Sequence, residues 1–207
     1  MKNVSNYLGQ LRIYSLVDLM LMMYAAGARG QVFWGAVVLW IGFLTYLESQ
    51  HKHTYRAKIP NSLWIALIII GLVLFGRIEG VGFVVASYFY TCKDKKNYGI
   101  FAPLFRGLQN FLLVGGVIGF SSVLVWFAFV LIFARNILGD IRDAGKDTGE
   151  GMKTIPILFG WKKNVPIIHL VGILGTTFVW WHYSGLGVAF LLVIWGIQLV
   201  TYNLTPR

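Results

Sequence analysis

Eight apolar stretches, at about 13–28, 31–47, 62–76, 79–92, 101–119, 121–138, 164–182 and 185–203, take up most of the chain and leave few folds open to it. A helix that crosses a bilayer needs roughly 20 apolar residues. Inside the bilayer every backbone polar group has to be bonded within its own helix or in a closed barrel. Composition points the same way: 57% of the residues are hydrophobic, 13% are charged and the mean hydropathy is +0.68. An average soluble chain is about half apolar and about a quarter charged. Disorder, a coiled coil and a soluble enzyme core do not fit these figures. The expectation is an all-α integral membrane protein, a single domain over residues 1–207 built as a bundle of about eight transmembrane helices. The 24 glycines suit helices that pack closely in lipid.

The charges orient the bundle. With a cytoplasmic N-terminus, all of the 18 Lys and Arg residues except Arg29 and Arg77 fall on one side. That asymmetry follows the positive-inside rule and predicts that both termini are cytoplasmic. The net charge of +10 does not indicate nucleic acid, because the basic residues form no stripe with interleaved aromatics. Residues 1–12 are polar, and the apolar stretch after them lacks a signal-peptidase pattern, so no cleaved leader is expected. Cys92 is the only cysteine, which excludes an internal disulfide and reads as a small buried hydrophobe. The longer, polar connections, 48–61, 93–100 and 139–163, all lie on the cytoplasmic side, and loops of that kind carry most polar sites.

Only eight acids occur, and Asp140, Asp143, Asp147 and Glu150 fall within eleven residues of each other. Asp140, Asp143 and Asp147 share one face if the preceding helix continues, and like charges so spaced repel. A bound divalent cation would remove the conflict; a solvated loop with intrahelical ion pairs is the plainer alternative. The Gly145-Lys146 pair is not a P-loop, since Asp147 comes next and the glycine spacing is wrong. Asp18 lies well inside the first span, where an unpaired carboxylate is costly. It either pairs with Arg106 or orients a ligand, or it is a neutral carboxyl in contact with water. Arg106 and Asn110 form an i, i+4 pair on the fifth span.

The stretch from Arg135 through Asp140, Asp143 and Asp147 to Lys153-Thr154-Ile155-Pro156 resembles the second aspartate-rich motif of the UbiA-type intramembrane prenyltransferases: D-x-x-D-x-x-x-D, then a basic residue and T-[LI]-P. Tyr90-Thr91 and then Lys93, Lys95 and Lys96 resemble the family's Tyr-plus-basic segment, and Arg106–Asn110 its Arg/Asn stretch. Arg12 also fits, and the resemblance runs over about 10–200. The first motif, N-x-x-x-D-x-x-x-D, is degenerate: Leu44, Glu48 and Lys52 stand at its three positions. The chain is also short for a family whose members usually have nine spans.

What the resemblance implies is Mg2+-dependent transfer of an isoprenyl group from a prenyl diphosphate to a hydrophobic, lipid-soluble acceptor. Asp140, Asp143 and Asp147 would hold the metal, with Glu48 the surviving acid of the first motif. Lys93, Lys95, Lys96, Arg106, Asn110, Lys153, Arg56, Tyr90 and Asp18 would bind substrate. Aromatics such as Tyr88, Phe89, Phe111 and Trp126 could wall in an allylic cation. At the broken motif, Glu48-x-x-His51 with His53 has metal-pair spacing, and Lys52, Arg56 and Lys58 could bind phosphate or be simple positive-inside residues. Two other functions compete: a non-catalytic relative that binds lipid or diphosphate or acts as a scaffold, and a transporter or channel. Against the transporter, no interrupted helices mark a midplane site.

Overall fold

The computed structural model describes residues 12–50, 59–95 and 97–202. Among these every regular element is helical. In chain order the helices are α1 (Ile13–Ala25), α2 (Gly30–Gln50), α3 (Asn61–Phe75), α4 (Ile78–Thr91), α5 (Ala102–Ile118), α6 (Val123–Gly149), the short α7 (Ile155–Leu158), α8 (Pro166–Ser184) and α9 (Val188–Tyr202). Two 3₁₀ turns, Cys92–Asp94 and Gly99–Phe101, lie between α4 and α5. Every apolar stretch of the sequence forms one helix, and most ends differ from the expected ones by three residues or fewer. Among the described residues three segments are long and apolar enough to cross a membrane: Gly30–Gln50, Gly99–Ile118 and Val123–Gly149. α1, α3 and α9 are apolar but shorter.

One boundary corrects the sequence reading. The sixth helix continues to Gly149, so much of the expected 139–163 loop is helical. The continuation is held locally. Thr148 Oγ1 donates to the Ala144 carbonyl at 2.7 Å, and Lys146 lies 3.8 Å from Glu150 one turn on. At about 1.5 Å per residue α6 is some 40 Å long, against roughly 30 Å of hydrocarbon. Its apolar part ends at Leu138. The remaining turns, with the three aspartates, extend beyond it.

The chain divides into two compact units: Met1–Val81 with Thr177–Arg207, and Gly82–Thr176. In the first, α2 and α3 meet almost backbone to backbone. A Cβ on Gly35 would stand 2.3 Å from the Phe75 amide nitrogen, and one on Gly71 would stand 2.8 Å from that of Leu39. Small residues at such a seam let helices gain dispersion contacts where lipid gives no hydrophobic drive. Gly76 (φ 64°) ends α3 in the left-handed region, and its amide bonds back to the Leu72 carbonyl. A buried polar knot joins α1, α8 and α9: Thr177 Oγ1 donates to Asp18 Oδ1 at 2.9 Å, and Gln198 Nε2 donates to Thr177 Oγ1 at 2.7 Å. Asp18 is thus a hydrogen-bonded core group of this unit.

In the second unit α5 packs on α6, with Gly107 against Phe129. Tyr88, Phe89 and Trp126 are exposed, so they belong to the outer face rather than to a closed wall. Phe111 is half-buried, among Phe120, Trp126 and Phe129. Cys92 is half-buried rather than buried.

Candidate active site at the end of α6

The acidic end of α6 and the cations around it belong to the second unit, whereas Glu48 and Arg12 belong to the first. Asp140 and Asp147 are each 5% exposed, although both are carboxylates at the polar end of a helix. Asp140 Oδ2 is buried and has no hydrogen-bond partner among the described residues. An orphaned buried acceptor costs about 1–3 kcal/mol, and more when it is charged. Burial pushes the Asp140 carboxyl up to about 7 and Asp147 up to about 6. Lys93 opposes both shifts, while repulsion from neighbouring acids adds to them. Among the described residues Lys93 is the cation that acts on both, with Arg142 adding to it at Asp140 and Lys146 at Asp147.

Asp143 behaves differently. Arg142 grips it with two bonds, Nε to Oδ1 at 2.8 Å and Nη2 to Oδ2. Burial alone would raise its carboxyl, but Arg142, helped by Lys93 and Lys146, holds it below the ordinary range. The Arg142 guanidinium also meets His169 Nδ1 at 2.8 Å, which anchors it from α8. The expected trio of equivalent metal ligands therefore divides. Asp140 and Asp147 are buried and short of partners, and Asp143 is already neutralised.

A cationic and aromatic group completes the surroundings. Tyr90 is buried at the end of α4, with Arg106 Cζ 5.4 Å and Lys93 Nζ 6.0 Å from its ring centroid. Arg106 itself is 8% exposed. Its Nη1 donates to Gln109 Oε1 at 2.8 Å, and Gln109 Nε2 donates to Ser87 Oγ at 2.7 Å. Asn110 turns inward on its own helix, donating to the Arg106 carbonyl at 2.9 Å. A buried guanidinium so supported costs solvation free energy that a hydrophobic residue would not.

The remaining candidates are arranged around this centre. Lys95 and Lys153 are exposed. Their segments are docked through Gly99, where a Cβ would come within 2.5 Å of the Lys153 carbonyl oxygen. Thr154 is buried, and its Oγ1 lacks a partner among the described residues. Lys96, Arg56, His51, Lys52, His53 and Lys58 lie outside the described residues. Glu48, in the first unit, is 3% exposed, and Arg12 Nη2 lies 3.3 Å from its Oε1. Arg12 takes φ 46° there, a left-handed conformation that costs a non-glycine residue about 1 kcal/mol or more.

Three elements of the site are missing from the sequence reading: the Gln109–Ser87 support of Arg106, the His169–Arg142 anchor and Asn136. Asn136 Nδ2 donates to the Tyr90 hydroxyl at 3.4 Å. Gln109 has a detectable signal, three residues from Arg106 on one helix face. Asn136, four residues before Asp140, carries a similar signal, whereas the His169 anchor depends on a contact 27 residues away.

The residues suit one divalent ion. Mg2+ typically takes one or two carboxylates, retained waters and a substrate phosphate. Asp140, with a free buried oxygen, and Asp147, two turns further along α6, each offer a carboxylate to such an ion. A purely acidic three-ligand cage does not form: no group of three His, Cys, Asp or Glu side chains among the described residues could hold a metal.

The chain is similar to a digeranylgeranylglyceryl phosphate synthase of Methanosphaera stadtmanae, 25% identical over 144 residues, covering 64% of this chain and 52% of that protein. It is related to the UbiA-type prenyltransferases. The chain spans about half the length of that relative. No protein-family model matches the chain. No solved structure matches it either.

Proposed function

We propose that this UbiA-type relative transfers an isoprenyl group from a prenyl diphosphate to a lipid-soluble acceptor within a membrane, with Mg2+ as cofactor. The observation that carries the reading is the pair of buried, repelling carboxylates, Asp140 and Asp147, facing Lys93 beside the Tyr90–Arg106 group. Membrane residence is supported by three helices of crossing length and by the eight apolar segments.

Asp140 and Asp147 are the residues that would hold Mg2+, which when bound would supply Lewis-acid stabilisation of the leaving diphosphate. The chain's own residues account for the rest. Lys93 and Arg106 are fixed cations positioned to bind the diphosphate and to stabilise charge as the allylic C–O bond breaks. Gln109, held by Ser87, keeps the Arg106 guanidinium from collapsing onto a carboxylate. The face of Tyr90 offers π-density without a strong nucleophile, so cationic character on the departing carbon is tolerated. Lys95 and Lys153 are exposed cations that draw the anionic donor inward. The relative's name describes a glyceryl phosphate carrying two geranylgeranyl groups. A prenylated glyceryl phosphate is therefore the first acceptor to try.

The test is Mg2+-dependent release of diphosphate from geranyl, farnesyl or geranylgeranyl diphosphate by the purified protein, and its loss in Asp140→Asn. A second reading, diphosphate binding without turnover, is favoured by the Arg12–Glu48 pair, in which the surviving acid of the first motif already has a cation. Binding of the donor without release, across many acceptors, would select that reading.

A further inference from the structure

We propose that the turn from Leu158 to Lys163 anchors the protein to anionic phospholipid. Leu158, Phe159 and Trp161 enter the headgroup–acyl boundary of the leaflet beside the acidic end of α6, and Lys162 and Lys163 bind lipid phosphate. The inference takes membrane residence from the reading above and is independent of prenyl transfer. Leu158 is 59% exposed, Phe159 88% and Trp161 45%. Lys162 and Lys163, next in the chain, are exposed as well. A contiguous apolar patch of this kind marks a contact surface. Aromatic residues followed at once by lysines match the interface of an anionic membrane, where the rings sit at headgroup level and the cations meet phosphate.

The packing of the second unit puts this turn at the right depth. α5 and α6 run antiparallel, since a Cβ on Gly107 would stand 3.0 Å from the Phe129 carbonyl oxygen and one on Gly115 would meet the Phe120 ring. Gly99 lies eight residues before Gly107, about 12 Å along the axis. The same distance along α6 from Phe129 leads to Ile137, next to the end of its apolar part. Gly99 abuts the Lys153 carbonyl, so the chain beyond α6 has folded back to the apolar limit before α7 begins. There it coils tightly: the Trp161 amide donates to the Pro156 carbonyl at 2.9 Å, and Gly160 takes φ 83°. The chain then climbs away. Asn164 Oδ1 accepts from the Gly145 amide at 2.6 Å, and Gly145 is seven residues, about 10 Å, beyond Leu138. The apolar residues of the turn therefore come near the hydrocarbon limit, and the two lysines come on the outward climb. Trp161 Nε1 donates to the Lys163 carbonyl at 2.6 Å, which ties the polar edge of the indole to the lysine side.

The experiment uses the full chain with Cys92→Ser, reconstituted into phosphatidylcholine vesicles and carrying one bimane label at a time. Labels are placed through Val130→Cys on the apolar part of α6, Phe159→Cys in the turn and Glu150→Cys at the polar end of α6. A quarter of the lipid carries brominated chains, as either phosphatidylcholine or phosphatidylglycerol. Bromine quenches only a nearby label. The label at 130 is expected to be quenched most, the one at 159 less, and the one at 150 not at all. Quenching at 159 should be about 2-fold stronger or more with brominated phosphatidylglycerol than with brominated phosphatidylcholine. Lys162→Gln together with Lys163→Gln should abolish that preference. A label at 159 as unquenched as that at 150 overturns the proposal, and so does a blue-shifted but unquenched one, the sign of a covering protein such as a second copy. Equal quenching by the two lipids overturns the anionic-lipid contact. In all three cases quenching at 130 leaves the membrane reading intact, whereas its absence overturns both.

Discussion

At the scale of single residues, the carboxyls of Asp140 and Asp147 set the behaviour of the metal-free protein. Both have an ordinary value of 3.8 and are raised in the fold, to about 7 and about 6. A carboxyl raised by folding binds its proton more tightly in the native state, so its stabilising contribution is complete below about pH 4. That contribution is lost as pH rises through 6 and 7. In chelator, the unfolding temperature should fall between pH 5 and 8, with a loss of roughly 2–4 kcal/mol. Asp140→Asn should flatten the fall, and Mg2+ with pyrophosphate should restore stability at pH 8. A parent profile as flat as that of Asp140→Asn would count against the buried-carboxylate picture. Turnover tests the same residues. Asp140→Asn and Asp147→Asn should each lose at least ~100-fold in kcat, about 2.7 kcal/mol. Asp143→Asn should lose less, since Arg142 already engages that carboxylate. The acids were legible in the sequence because helical spacing brings 140, 143 and 147 to one face. Their different environments were not. Whether an aspartate meets an arginine or an orphaned oxygen depends on rotamers and on His169, 27 residues from Arg142.

At the scale of elements, apolar length fixes where the helices lie, and close glycine contacts fix how tightly two of them pack. The sequence could not show that α6 would run on past its apolar part. Its hydropathy falls after Leu138, whereas the helix continues on local bonds such as that of Thr148. Nor could it show which of 24 glycines were contact points. The α2–α3 seam gives a clear test. Gly35→Ala places a Cβ 2.3 Å from backbone and should cost about 1–3 kcal/mol by overpacking. Gly175→Ala, with nothing within 4 Å, should be neutral or stabilising by up to about 1 kcal/mol. Thermal unfolding in one detergent compares the two, and equal effects would mean that the helices do not meet backbone to backbone. Gly99 tests the site from its edge. Gly99→Val would push the 97–101 segment off the Lys153 carbonyl and is expected to raise the KM for the prenyl donor more than it lowers kcat.

At the scale of the whole molecule, the distribution of charge predicts how the chain meets a membrane and from which side its substrate comes. Apart from Arg29 and Arg77, the 18 basic residues are expected, from the order of the apolar stretches, on the side of the termini and of the acidic end of α6. Translocating a segment rich in Lys and Arg is unfavourable, so that side is expected to stay cytoplasmic. On the proposed reading the same cations would face an anionic leaflet and an anionic prenyl diphosphate, and their attraction for both would weaken as salt screens it. Single cysteines introduced into a Cys92→Ser background provide the measurement. A cysteine at position 28 or 77 should react with a membrane-impermeant maleimide on intact cells. One at 150 should react only after permeabilisation. In sealed inside-out vesicles, prenyl diphosphate added from outside should be consumed without detergent, and raising salt from about 50 to about 300 mM should increase its KM. Right-side-out vesicles should stay silent until opened. Labelling of position 150 on intact cells would invert the orientation, and the acidic end of α6 would then face a compartment without a ready supply of prenyl diphosphate.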